Sequence, residues 1–520
     1  MDRVSVFARR QRIKNLEQWT IYAILTESFF LALFPQVAAA AVMLGVMAWF
    51  LRSRIDSRYK MRSLPFDVPV SIFLLIGAAS VFLSSARNFE LIYNYCTLVG
   101  IYGLTYLIVG QTIRTPAQVR QVAQALGASA ILVMLWGFFQ FVFGIDVADI
   151  KWTDPEAFPE LKKRVFSTLE NPNVLAGYLD VFICLALGLL AKVESKSQKI
   201  ILIAAIILLA ACLTMTYSRG AFLTILIVFV IYALLQDWRM LIPFALIVGI
   251  IFCADTTFTN RILSAFTMAD SSEGVRVGIW VSTVAMISDH PFAGIGWGAY
   301  QFVYPQYNYY IADPNIIIYH AHNIYLNYAA EIGIVGALAF FWYFFGTMFQ
   351  ALDLGSNVRF KKIRDGLEES AEKIFSDSKL LQYVEELTAL VNEKLYDFAE
   401  RVMELFSKKN SPPEDKKPHL ELVHHEEMKW SKRNREKFGN EDSKTEIDWE
   451  NLTELDDRKF LDGFKLGIGL AFLSMALNGF TDDLLFNIPT SMLMWQLGAL
   501  GAAIHLMPEE IISIKRRRRI

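Results

Sequence analysis

Residues 200–235 read IILIAAIILLAACLTMTYSRGAFLTILIVFVIYALL. Two runs without a charge, Ile200–Cys212 and Ala221–Leu235, flank a short polar turn that holds one arginine, Arg219. Such a run closes its backbone hydrogen bonds within a helix and leaves its side chains to lipid, so each reads as a membrane span. Leu466–Leu477 repeats the pattern. Hydrophobic residues make up 54% of the 520, and mean hydropathy is +0.35. Because these residues come in long runs, the composition argues against a multidomain soluble protein.

Counting roughly 20 apolar residues per helix gives an all-α polytopic protein with about twelve spans. They are expected near 18–34, 36–51, 66–85, 91–112, 119–143, 173–191, 199–217, 220–236, 239–255, 323–350, 463–480 and 488–507. Only Phe34-Pro35-Gln36 separates the first two, which makes them a tight hairpin or a broken pair. Placing the N-terminus in the cytoplasm puts the clusters Arg3–Lys14, Arg52–Arg62, Arg114/Arg120, Lys192–Lys199 and Lys515–Arg519 inside, as the positive-inside rule requires. Both termini are then cytoplasmic. The basic opening leads into a full span and shows no small-residue cleavage site, so no signal peptide is expected. The four cysteines lie in or beside apolar runs without CxxC spacing, which suggests neither a zinc site nor a disulfide framework.

Three segments fall outside the spans. Residues 144–172 are expected outside and end in Asn171-Pro172-Asn173, a helix-start signal. Residues 256–321 form a long external loop with short helices. One begins at Ser271, with Val277, Val281 and Val284 as its apolar face. Residues 351–462 form a cytoplasmic insert, helical near Leu380–Phe406 and disordered beyond Ser411-Pro412-Pro413, where a cytoplasmic partner would bind. The chain thus divides into a membrane domain (1–350, spans one to ten), the insert (351–462), and two closing spans with a basic tail (463–520). No feature calls for nucleic acid.

Charged residues at the external edge are the candidates for chemistry. Arg219, in Y-S-R-G, is either a boundary anchor or a phosphate ligand, since a guanidinium offers paired donors to phosphate oxygens. Arg276 precedes Trp280 by four residues on the loop helix, and Trp280 and Trp297 suit a membrane interface. Arg164 closes a basic patch that begins at Lys151. His320, His322 and Asn323 stand just before a span, where an imidazole serves as a general base. H-x-H also suits a metal pair, but the external loops supply only scattered acids, so no metal is expected. Asp482, Asp483 and Asn478, in the last external turn, bind a sugar or cap helices. Glycines 294, 296 and 298 fit neither the dinucleotide nor the P-loop spacing and read as a packed turn.

In combination these residues resemble the O-antigen ligase / O-antigen polymerase superfamily. The resemblance covers roughly 160–345. It rests on FSTLENPNVLAGYL (166–179), TYSRGA (216–221), Arg276-x-x-x-Trp280, HPFAGIGWG (290–298), H-x-H-N-x-Y-L from His320, and E-x-G-x-x-G from Glu331. It implies a fold of about twelve spans. It also implies a glycosyltransferase that takes a glycan from an undecaprenyl-pyrophosphate donor, at the external face of the bacterial cytoplasmic membrane. The acceptor is lipid A-core or another envelope hydroxyl, and the reaction needs no cofactor and no metal. Arg219 and Arg276 match the two arginines that hold the pyrophosphate. His322 matches the candidate base, with His320, Asn323, Trp280 and Arg164 around the substrate. A polysaccharide polymerase shares this donor chemistry. A bicarbonate-like transporter is the competitor from another class, but the spans look almost free of charge, whereas transporters hold ionisable groups at mid-membrane.

Overall fold

The computed structural model describes residues 3–144 (except 58 and 87), 164–242, 271–309, 317–353 and 452–518, with residues 245, 246, 248, 249 and 259 between them. These residues are helical, with no strand among them. The long helices are α1 (Arg3–Phe30), α2 (Pro35–Ile55), α3 (Asp67–Leu83), α4 (Phe89–Thr112), α5 (Pro116–Phe143) and α6 (Pro172–Lys192). They continue with α7 (Lys196–Thr214), α8 (Arg219–Gln236), α9 (Ser271–Asp289), α10 (Ile324–Leu352), α11 (Leu452–Asn478) and α12 (Ile488–Arg518).

Eight of them are long and apolar enough to cross a membrane: α2, α4, α5, α6, α7, α8, α10 and the Asp456–Asn478 portion of α11. The chain is a multi-pass membrane protein. The expected count of about twelve is not reached among the described residues, for identifiable reasons. The expected span 239–255 lies largely outside them. Helix α3 is a shorter apolar helix. Helix α1 starts within the basic cluster at Arg3, well before the expected position 18. Helix α12 is buried along Ser491–Ile504 and includes Ser491, Gln496 and several glycines and alanines, because a helix wrapped by other helices need not be apolar enough for lipid. Of the expected insert, residues 354–451 lie outside the described residues, and α11 begins at Leu452, ahead of the expected 463.

Caps fix where the helices begin. Asn171 accepts from Asn173 N–H at 2.8 Å and starts α6 at the expected NPN signal. Thr115 and Gln118 form a capping box at the start of α5. Arg62 caps the other end of α4, donating to Gly110 O at 2.9 Å and Ile113 O at 2.8 Å. Helices α1 and α2 form the hairpin, since Arg9 near the start of α1 donates to Ile55 O at the end of α2, 3.1 Å away.

Small residues and isolated polar pairs hold the bundle, as expected where lipid removes the hydrophobic drive between helices. Gly188 on α6 sits against Gly463 and Gly467 on α11, so close that a Cβ at Gly188 would lie 2.2 Å from Gly467 N. Thr105 on α4 donates to Glu27 on α1 at 2.6 Å, Gln496 on α12 donates to Ser28 on α1 at 2.7 Å, and Asn478 donates to Asp180 on α6 at 3.0 Å. The spans do hold ionisable side chains: Glu27, Asp180 and Glu331 are buried within helices.

Helix α10 is broken at Gly333 (φ 69°), and the glycine turn fills the break. Ile295 N–H donates to Ala330 O at 2.8 Å, Gly296 N–H to Glu331 O at 2.9 Å, and Ile334 N–H to Pro291 O at 2.8 Å. The Glu331 side chain accepts from the backbone N–H groups of Gly298 and Tyr300. Backbone thus satisfies backbone where the helix ladder is open, as a buried break requires. Gly294 (φ 70°) needs both its left-handed conformation and its missing Cβ, which would lie 2.4 Å from Glu331 O. Gly294→Ala is expected to lower stability by about 2 kcal/mol or more, read as a drop in the detergent-solubilised melting temperature. An unchanged melting curve would show that the turn does not clamp the break.

Helix α9 starts at Ser271 as expected, and the face it buries is not the one that carries Val277, Val281 and Val284. Val277, Val281 and Val284 are 52%, 46% and 51% exposed, whereas Ile279 and Met286 are buried with Ile295, Tyr300, Val303 and Ala321. Among its inward polar positions, Thr283 shares a 2.6 Å hydrogen bond with the Tyr300 hydroxyl. The valines are left facing outward, because the small inner residues let α9 approach the loops.

Candidate active site

The candidate residues lie at the end of the bundle where α6, α8, α10 and α12 begin and α7 and α11 finish. The turn after α11, Gly479–Asp483, links them. Ile324 N–H donates to Gly479 O at 2.9 Å, and Asn323 Nδ2 donates to Phe480 O at 3.1 Å. Asn323 Oδ1 also accepts from Leu326 N–H at 3.0 Å, so this asparagine caps α10 and ties it to the turn.

Asp482 is the hub. Its Oδ1 accepts from His322 Nδ1 at 3.0 Å and from Asp483 N–H at 2.9 Å, and its Oδ2 accepts from Asn173 Nδ2 at 3.0 Å. Arg164 stands behind Asn173, donating to Asn173 Oδ1 at 2.7 Å and to Thr216 O at 2.8 Å. A carboxylate only accepts, so the partner assigns the proton of a neutral His322 to Nδ1 and leaves the Nε2 lone pair free. His322 itself adopts φ 48°, the left-handed region, at a cost on the order of 1 kcal/mol. Its N–H donates to His320 Nδ1 at 3.1 Å, and Ala321 N–H donates to Asn327 Oδ1 at 3.0 Å, which holds that conformation.

Arg276 bears on this hub, and the start of α8 lies beside its turn. Trp280 Nε1 donates to Ala321 O at 3.1 Å, which turns the Arg276–Trp280 face of α9 toward the histidine loop. The Arg276 charge acts on both His320 and Asp482. Arg219 is the first residue of α8, and its neighbour Gly220 lies against Thr481, where a Cβ would sit 2.7 Å from Oγ1. Trp297 packs edge-on against Phe73 and Tyr328, 5.8 and 5.6 Å between ring centres.

Electrostatics divide the site. Burial pushes His320 down to about 3, aided by the neighbouring His322 and the Arg276 charge, so its imidazole is neutral near pH 7. Burial works against the Asp482 carboxylate but is outweighed by the hydrogen bond from His322 and by Arg276, which hold it well below the usual range. Burial and the neighbouring Asp482 charge push Asp483 up to about 7. A depressed imidazole gives stability that is full above its unfolded value near 6.5 and is lost as pH falls toward 3. Asp483, with a raised value, contributes in the opposite sense between about 4 and 7. Comparison isolates His320: the melting temperature of His320→Gln relative to the parent is expected to rise as pH drops from 7 to 5. A difference independent of pH would contradict the buried neutral imidazole.

Sequence reasoning did not connect Asp482 to His322, which lies 160 residues away, nor Asn173 to either. Asp483 caps the turn Leu484–Phe486 through Leu485 N–H at 3.1 Å, whereas Asn478 donates to Asp180 at 3.0 Å and caps no helix there. The metal expectation also changes footing, because Asp482 supplies the acid that the loops seemed to lack. His320, His322 and Asp482 bring ligand atoms within 4.8 Å of one another.

Residues 204–341 match the family model described as O-antigen ligase, a region that includes Arg219, Arg276, His320 and His322. No curated protein matches the chain.

Proposed function

We propose that this multi-pass membrane protein, of which residues 204–341 match the O-antigen ligase family model, transfers a glycan from an undecaprenyl-pyrophosphate donor to an acceptor hydroxyl. The acceptor is lipid A-core or another envelope glycan or lipid. The reaction runs at the external face of the bacterial cytoplasmic membrane, with both termini inside. The observation that carries this reading is the Asp482–His322 pair beside Arg276, gathered at one end of a membrane-spanning bundle.

The chemistry follows from the geometry. His322 Nε2 takes the proton of the acceptor hydroxyl as its oxygen attacks the anomeric carbon. The bond from that carbon to the pyrophosphate oxygen breaks, and the lipid pyrophosphate leaves with the electron pair. Arg276 and Arg219 offset the negative charge that develops there, where partial exclusion of water strengthens each contact. Asp482 orients the imidazole and stabilises its protonated form. Asn173 and Arg164 support Asp482, Asn323 fixes the start of α10, and His320 and Trp280 shape the pocket wall. Direct displacement inverts the anomeric centre.

The test is purified protein in detergent with a lipid-pyrophosphate glycan and a panel of acceptors. Release of lipid pyrophosphate that depends on an acceptor is expected. No release with any acceptor would remove the reading. If only a second lipid-linked glycan serves as acceptor, the chain is a polymerase of the same chemistry.

A further inference from the structure

We infer that His320, His322 and Asp482 form a reversible binding site for a transition-metal dication of the zinc class, whose occupation silences the base at His322. Two imidazoles and one carboxylate offer ligand atoms within 4.8 Å of one another, and all three residues are half-buried, so an ion reaches them. Imidazole nitrogen beside a single carboxylate oxygen suits zinc, copper or nickel rather than magnesium or calcium, which favour oxygen donors. The residues come from two separate loops, one before α10 and one after α11, joined by the 2.9 Å bond from Ile324 N–H to Gly479 O. The ligands are therefore held in place before any ion arrives.

The site has three protein ligands, as in open zinc sites, rather than the four of closed structural ones. The Arg276 charge acts on two of the three and opposes a dication. Both features point to an exchangeable ion rather than a resident one. The inhibitory effect follows from the tautomer. His322 Nδ1 faces Asp482 at 3.0 Å, so an ion shared by these two groups takes the Nδ1 lone pair, and the single ring proton moves by exchange with water from Nδ1 to Nε2. A nitrogen that carries a proton cannot accept the acceptor's. The silencing effect rests on the proposed transfer reaction; the binding site does not.

The test uses full-length protein in detergent, with an affinity tag free of histidine. His419, His424 and His425 are replaced by asparagine to remove competing imidazoles. After EDTA treatment the protein is equilibrated with micromolar ZnCl2, passed through gel filtration, and its zinc counted by mass spectrometry. One equivalent is expected, with two imidazoles seen by X-ray absorption at the zinc edge. His320→Gln and Asp482→Asn are each expected to lose that equivalent. The X-ray absorption of the parent decides the ligands even if a variant fails to fold. Glycan transfer is expected to fall at least tenfold with zinc and to recover with EDTA. Absence of bound zinc, zinc retained by both variants, or no imidazole in the absorption spectrum would overturn the site. Faster transfer with zinc would overturn the silencing role. A chain that binds zinc at these ligands yet transfers no glycan would refute the proposed function and leave the site standing.

Discussion

Arg276→Ala is expected to cut glycan transfer by about a hundredfold to a thousandfold while the protein still elutes as a folded species. The guanidinium acts on His320 and Asp482, and in the proposed transfer it is the group that faces the leaving pyrophosphate. Removing one well-placed donor to a developing anion costs on the order of 3–4 kcal/mol in the transition state. The structural penalty is small, because Arg276 is only half-buried on α9 and the packing of that helix rests on Ile279, Met286 and Trp280. Most of the loss is expected in kcat, since the interaction strengthens as the bond breaks. Arg276→Lys is expected to recover only part of the rate, because an ammonium cannot offer the planar pair of donors. Turnover of Arg276→Ala within a few-fold of the parent would separate this arginine from the leaving group.

What the sequence disclosed and what it hid have physical causes. Spans such as α6, α7 and α8 are legible because lipid demands apolar runs, and the Asn171 cap marks the start of α6 locally. The glycines of 294–298 and Gly333 are legible as special but not as partners, because their need arises only when the turn enters the break in α10. The inward face of α9 was not legible for a related reason. A helix beside lipid can expose valines at little cost, so periodicity of apolar residues does not reveal which side meets protein. Among the candidate residues, topology put Arg219, Arg276 and His322 at one end, since parity of spans needs only charge placement. The Asp482–His322 contact is long-range, and Asp482 beside Asp483 looks like any acidic turn. Only the crossing of α10 and α11 distinguishes the two acids: one faces the imidazole, and the other turns into the Leu484–Phe486 cap.

That difference sets up the second large effect. Asp482→Asn is expected to lower kcat by about a hundredfold or more, while Asp483→Asn stays within a few-fold of the parent. The Asp482 carboxylate accepts from His322 Nδ1, Asn173 Nδ2 and Asp483 N–H at once. An amide there presents one oxygen and one NH2 group, and it cannot satisfy three donors. If its NH2 faces His322, the imidazole must accept at Nδ1 and carry its proton on Nε2, which leaves the base in the wrong tautomer. If its oxygen faces His322, the NH2 meets Asn173 Nδ2, and the Arg164–Asn173 support is lost. Either arrangement also removes the negative charge that stabilises the imidazolium formed in the transfer step. Asp483→Asn keeps the oxygen that accepts from Leu485 N–H, so its cap survives. The measurement is initial rate against pH for both variants with saturating donor. Equal losses in the two variants would mean that the turn acts only as a scaffold. An Asp482→Asn enzyme with the parent's rate and pH profile would show that His322 works without a carboxylate behind it.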